Sequence, residues 1–290
     1  TFPPILEPVF EEGNQVAYEL TAQQGKMSFI DGIETNTYGY NGDFLGPVIL
    51  LKEGQQVTMK LTNSLPDATT FHWHGLEVAG DASDGGPHAV IEPGTTDTIE
   101  FTVNQKASTL WYHPHPMGYT AEQVYKGLAG LLYIDDANSE QLQLPRQYGE
   151  NDFPIILQDR TFINGQIDYE QAANTMSTLG DTIMINGTIN PYLTAPREKV
   201  RLLILNGSNA LTYHLSLENE MPFGLIATDG GFVNKPVEMT ALSVGAGERV
   251  ELLIDLSKVN GNTISLMNND TTLLPIKIEG DSLEKSYDQL

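Results

Sequence analysis

Four of the six histidines in this 290-residue chain fall into two His-x-His pairs, His72-Trp73-His74 and His113-Pro114-His115. Residues two apart on an extended chain project to the same side, so each pair would aim two imidazoles in one direction. Two such pairs on neighbouring segments could converge as four nitrogen donors. Imidazole suits copper, zinc, iron and nickel, and without thiolate or clustered carboxylates beside it copper or zinc leads. Separate packing roles would account for one lone histidine, but poorly for two pairs. Cysteine is absent, which excludes disulfides, Cys-ligated zinc, iron–sulfur clusters and thiol nucleophiles.

The elements that would hold these pairs read as strands. Short β-rich runs bounded by Gly, Pro, Asn and Asp recur at 57–63, 69–76, 96–103, 108–114 and 128–135. They return at 153–159, 182–187, 200–206, 212–218, 248–256 and 262–268. Many short strands at regular spacing predict an all-β protein of antiparallel sandwiches rather than βαβ units. The best helical candidate, 118–127, is a short piece in a loop. A polar, Pro-containing stretch ending at Asp152 marks a boundary. The expected division is one sandwich over 1–137, a linker over 138–152, a second sandwich over 153–280 and a polar tail over 281–290.

The two halves also read as copies. Val57–Asn63 corresponds to Val200–Asn206, Thr70-Phe71-His72 to Thr212-Tyr213-His214, and Asp84-Gly85-Gly86 to Asp229-Gly230-Gly231. One sandwich duplicated would explain this. His214 then stands where the first copy has His72, while Ser216 replaces His74, so the second copy keeps the fold and loses the ligand pair.

Lys plus Arg number 15 against 38 Asp plus Glu, a formal charge of −23. Such a surface repels phosphate backbones, so no nucleic acid partner is expected. No apolar run is long enough to predict a membrane span. The first residues, TFPPILEP, carry no leader pattern, and the expectation is that any signal peptide was removed or never present.

The words around the histidines sharpen the chemistry. FHWHGLEVAGDASDGGPHAVIEPG (71–94) and LWYHPHPMGYTAEQVYKGLAGLLYIDD (110–136) resemble the multicopper oxidase family, in particular its bacterial laccase and cuprous-oxidase branch. The likeness continues through MINGTINPYL (184–193) and the Asp-Gly-Gly at 229–231, so it covers nearly the whole chain. It implies two tandem cupredoxin-like Greek-key sandwiches and a trinuclear copper cluster. By that resemblance His72 would bind the type 2 copper, His74 and His113 one type 3 copper, and His115 the other. Asp84 would be a catalytic residue on the proton path to oxygen; its Asp-Gly-Gly setting is equally an ordinary turn. Trp73 and Trp111 read as packing, and His88 as a surface residue or one that backs the ligands. Met117 departs from the His-Pro-His-x-His of many relatives, at a position that is not a cluster ligand in the family.

Family members that oxidise donors also need a type 1 copper held by two His and a Cys, often with a weak axial Met. A chain without Cys cannot build that site, and it holds four of the eight cluster histidines. The resemblance therefore implies a piece of a three-domain oxidase, with the third cupredoxin domain as a separate chain or cleaved fragment and the 281–290 tail as the start of a linker to it. The complete enzyme would take electrons from phenolic, aromatic-amine or metal-ion donors and reduce O2 to water, in an extracytoplasmic setting like most bacterial relatives. The rival expectations are a scaffold related to the copper-free cell-division proteins, which have lost the cluster histidines, and a two-domain laccase or nitrite reductase, which would need a Cys.

Overall fold

The computed structural model describes residues 1–78, 81–170 and 180–280, with only the backbone of residues 81 and 82; the 281–290 tail lies outside the described residues. Contacts divide the chain into two units, each a sandwich of strands. The first is built from β1 (Phe10–Glu12), β2 (Gln15–Ile30), β3 (Ile33–Tyr40), β4 (Ile49–Lys52), β5 (Gln56–Ser64), β6 (His72–His74), β7 (Thr96–Thr102), β8 (Ser108–His113) and β9 (Gly130–Asp135). One sheet runs β1-β2-β5-β7, with β3 also paired to β2, and the other runs β4-β9-β8-β6. Two short helices, α1 (Asp81–Asp84) and α2 (Thr120–Lys126), fall in its loops.

Alternation explains the layering. Along β5, Val57, Met59, Leu61 and Asn63 are buried while Gln56, Lys60 and Ser64 are exposed. On the parallel neighbour β2, Val16, Tyr18, Leu20 and Ala22 are buried in the matching register. Trp73, Phe101, Tyr112, Leu132 and Ile134 join them in one core. Each such aliphatic side chain contributes about 1.5–3 kcal/mol when fully buried. β8 is buried along its whole length, and its Tyr112 stands opposite Gly130, where a Cβ would strike the tyrosine ring.

The second unit pairs a seven-stranded sheet around Asp152–Arg160, Lys199–Asn206 and Arg249–Asp255 with a five-stranded sheet around Tyr213–Leu217, Thr263–Asn268 and Thr271–Glu279. Its core gathers Ile155, Leu157, Leu202, Ile204, Leu215, Leu252, Ile264 and Ile276. Equivalent hydrogen bonds recur in both sandwiches. The Asn63 side chain donates to the Asp67 and Ile91 carbonyls and accepts from the Leu65 N–H. The Asn206 side chain donates to Leu211 and Val244 and accepts from Ser208. The Asn backbones match too, receiving Gly94 N–H in one copy and Gly247 N–H in the other.

Two stretches pack differently from the expected division. Residues 138–159 group with the second unit, where Asn151 is buried and bonded to Glu198 at 2.9 Å. Residues 160–170 group instead with the first unit, and the Phe162–Ile163/Gln166–Ile167 hairpin accepts the Asn36 N–H on Gln166 at 2.9 Å. Side-chain hydrogen bonds to distant partners mark this, and composition does not carry it.

Candidate metal centre

β6 and β8 pair antiparallel with His72 opposite His113, Trp73 opposite Tyr112 and His74 opposite Trp111. The alternation turns Trp73 and Tyr112 into the core and sets His72, His74, Trp111 and His113 on the other face. Pro114 has no N–H to offer the ladder, so β8 ends and His115 continues beyond it. Its backbone N–H donates instead to the Thr70 hydroxyl at 2.7 Å.

All four imidazoles of the two pairs converge. The His72 ring centroid lies 5.8 Å from that of His74, 5.3 Å from His113 and 5.3 Å from His115. Those of His74 and His113 are 5.5 Å apart, and those of His113 and His115 are 6.2 Å apart. His72, His74 and His113 each offer a ring nitrogen within 4.8 Å of the others.

Their tautomers are set by what surrounds them. His72 Nδ1 sits 2.9 Å from the Asp84 carbonyl oxygen and His113 Nδ1 2.7 Å from that of Pro114. A carbonyl only accepts, so both Nδ1 atoms carry protons and both Nε2 atoms keep lone pairs for a ligand. His113 Nε2 faces His74 Nδ1 at 3.2 Å. Two nitrogens bound to one ion at about 2.0–2.1 Å in tetrahedral geometry lie about 3.3–3.4 Å apart. His115 Nδ1 is buried with no hydrogen-bond partner among the described residues. Burial pushes the His113 imidazole down to about 3, against the Pro114 carbonyl and helped by His72, His74 and His115, which keeps it in the neutral, ligating form. An all-imidazole donor set of this kind fits copper.

Asp84 reaches the site in two ways. Its carbonyl holds His72, and its half-exposed carboxylate places Oδ1 3.6 Å from His72 Nδ1. Gly85 makes this approach possible: its φ is +70°, and a Cβ there would strike the Phe71 carbonyl. The remaining candidates spread out. Trp111 lies tilted against His113 at 4.1 Å between centroids and 5.4 Å from His74, so it packs against these imidazoles rather than only in the core. His88 and Met117 are exposed. His214, in the second sandwich, is exposed with Nδ1 2.8 Å from the Ser243 hydroxyl. Sequence reasoning missed Thr70, Gln123 and the Asp84 carbonyl; the pairing of Thr70 with His115 follows from the strand register and could have been found there.

Comparison with known proteins agrees with this picture. Residues 21–139 and 132–272 each match a family profile described as multicopper oxidase. The chain is 48% identical over 286 residues to the multicopper oxidase of Staphylococcus haemolyticus, covering 98% of this chain and 63% of that protein. It is 38% identical over 264 residues to the cell division protein FtsP of Xenorhabdus nematophila, covering 91% of this chain and 54% of that one. The crystal structure of a laccase from Pediococcus acidilactici superposes with a TM-score of 0.96 at 40% identity, covering 98% of this chain and 62% of the laccase. The chain thus spans less than two thirds of the length of each of these relatives.

Proposed function

Since this chain belongs to the multicopper oxidase family, we propose that it supplies half of the ligands of a trinuclear, oxygen-reducing copper centre. His72 would serve the type 2 ion, His74 and His113 one type 3 ion, and His115 the other. The observation that carries this reading is the 3.2 Å approach of His74 Nδ1 to His113 Nε2 inside the ring of imidazoles. That separation matches two nitrogens sharing one ion.

Bound copper would supply the one-electron chemistry by which four electrons reach O2. The residues of this chain do the rest. The Asp84 and Pro114 carbonyls hold the His72 and His113 rings with Nε2 turned inward. Trp111 covers one side of His113 and keeps water from that face. The Asp84 carboxylate, partly open to solvent beside His72, would take up a proton at Oδ1 and hand it inward. The other four imidazoles and the Cys-containing type 1 site would come from a further cupredoxin domain, where a phenolic, aromatic-amine or metal-ion donor gives up its electrons.

Likeness to cell division proteins supports a second reading, a copper-free scaffold of the same fold. A scaffold has no need of four converging imidazoles, two of them with their lone pairs set by neighbouring carbonyls. Copper content and O2 uptake separate the two. In the full-length protein His74→Ala should abolish donor-driven O2 uptake while leaving the blue type 1 band, and unchanged turnover would refute the ligand assignment. The 290-residue chain alone should consume no O2 with a phenolic donor; measurable turnover would sink the division of labour.

A further inference from the structure

The two histidine pairs come from segments about forty residues apart, and something must fix the distance between them. The β6–β8 ladder does so only as far as His72 and His113. Carried two residues further, the same register sets Thr70 opposite His115, but Pro114 has already broken the ladder. The side chain of the buried Thr70 takes over, its Oγ1 accepting the His115 N–H at 2.7 Å. Thr69, the next residue back, donates its hydroxyl to Gln123 Oε1 at 2.8 Å, and Gln123 Nε2 donates to the Ala68 carbonyl at 2.9 Å. Gln123 lies on α2, which begins at Thr120 a short turn after His115, and both Thr69 and Gln123 are buried. The buried Arg160 pins that helix in turn, donating to the Tyr125 and Val124 carbonyls. The second sandwich, which lost the ligand pair, keeps a threonine at the Thr70 position (Thr212) but carries Leu211 where the first has Thr69.

We propose that Thr70, braced by Thr69 and Gln123, is a positioning residue of the metal centre: its hydroxyl replaces the missing ladder bond and holds the His115 ring beside the others, its centroid 5.3 Å from that of His72 and 6.2 Å from that of His113. The inference rests on the metal-centre reading and adds to it a defined route by which one pair is set against the other. Orienting partners of this kind are typically worth 10- to 100-fold in metal affinity.

The test is a double-mutant cycle on the 290-residue chain, titrated with Cu(II) alone and followed by quenching of tryptophan fluorescence, since one of its two tryptophans, Trp111, lies against His113. Thr70→Val should weaken binding about 10-fold in the native background and less than about 2-fold in a His115→Ala background. Thr70→Ser, which keeps the hydroxyl, should restore native affinity. A Thr70→Val effect of equal size in both backgrounds, or none in the native chain, overturns the proposal. If Thr70→Val does not fold, Gln123→Met decides: weakened binding that depends on His115 supports the proposal, and unchanged affinity refutes it. Failure of the native chain itself to bind Cu(II), or binding untouched by His74→Ala, would instead sink the metal-centre reading on which the inference stands.

Discussion

Two adjacent glycines offer a sharp perturbation of the centre. Gly85 adopts φ +70°, and a Cβ there would strike the Phe71 carbonyl and come within 2.9 Å of the His72 backbone nitrogen. Gly86 has no positive φ, and its Cβ would meet only the Asp84 carboxylate at 3.5 Å, an ordinary contact. Gly85→Ala therefore carries two costs. Left-handed backbone for a residue with a Cβ costs about 1–2 kcal/mol, and overpacking a closed site adds about 1–3 kcal/mol. Relief requires the turn and the Phe71–His72 segment to part by roughly 2 Å, since non-bonded heavy atoms prefer about 3.5–4.0 Å and the Cβ would lie far inside that range of the Phe71 carbonyl. Such a shift breaks the His72 Nδ1–Asp84 carbonyl bond and exceeds the about 0.2 Å that metal–ligand distances tolerate. The expected result is a stability loss of about 2–5 kcal/mol in urea unfolding and a Cu(II) affinity lowered about 10- to 100-fold. Gly86→Ala should change neither appreciably. Equal affinities for the two variants would refute the argument that this turn sets the His72 ring.

Asp84→Asn keeps the backbone carbonyl and removes only the carboxylate, so copper should stay bound in the full-length protein while the oxygen half-reaction slows. Loss of copper instead would show that the side chain acts structurally. Asn63→Ala and Asn206→Ala each remove three side-chain hydrogen bonds, and each should cost about 2–5 kcal/mol in its own sandwich, because buried backbone groups are left unpaired. Hydrogen exchange resolves the two sandwiches, and only Asn63→Ala should also weaken Cu(II) binding; a loss below about 1 kcal/mol at either site would break their equivalence.

Much of the fold was legible because period-2 burial leaves a plain trace. The run at 57–63 became β5, the run at 200–206 became Lys199–Asn206, and the helical candidate at 118–127 became Thr120–Lys126. The His-x-His spacing was readable for the same reason, since alternation alone sends both rings of β6 to one face. What stayed hidden depends on pairing rather than on residue type. Gln123 on a short helix reads as a solvated side chain, and Thr69 and Thr70 read as ordinary strand formers; only the partner across the gap reveals their work. The Asp84 carbonyl is invisible in principle, because every residue has one. The hairpin after Arg160 has strand composition wherever it docks, and the bonds of Gln166 to Asn36 and Glu34 decide its place.

Equivalent sandwiches with unequal chemistry show how little of the chain the proposed function occupies. The Asn63 and Asn206 networks match bond for bond, yet His74 has Ser216 as its counterpart, and His214 points to solvent beside Ser243. Stability therefore resides in residues that both copies keep, whereas metal binding would reside in four imidazoles and the few groups that aim them. Whole-chain likeness cannot separate an oxidase from a scaffold for this reason: relatives named multicopper oxidase and relatives named cell division protein both align over more than nine tenths of the sequence. The site favours the oxidase reading we propose. Ligands kept only as packing would be free to take any tautomer and any direction. Here two carbonyls fix the protons of His72 and His113, a buried hydroxyl anchors His115, and His74 Nδ1 approaches His113 Nε2 at 3.2 Å. Among the described residues His115 Nδ1 is buried without a hydrogen-bond partner, and a buried polar atom in that state favours the metal-centre reading we propose over a scaffold.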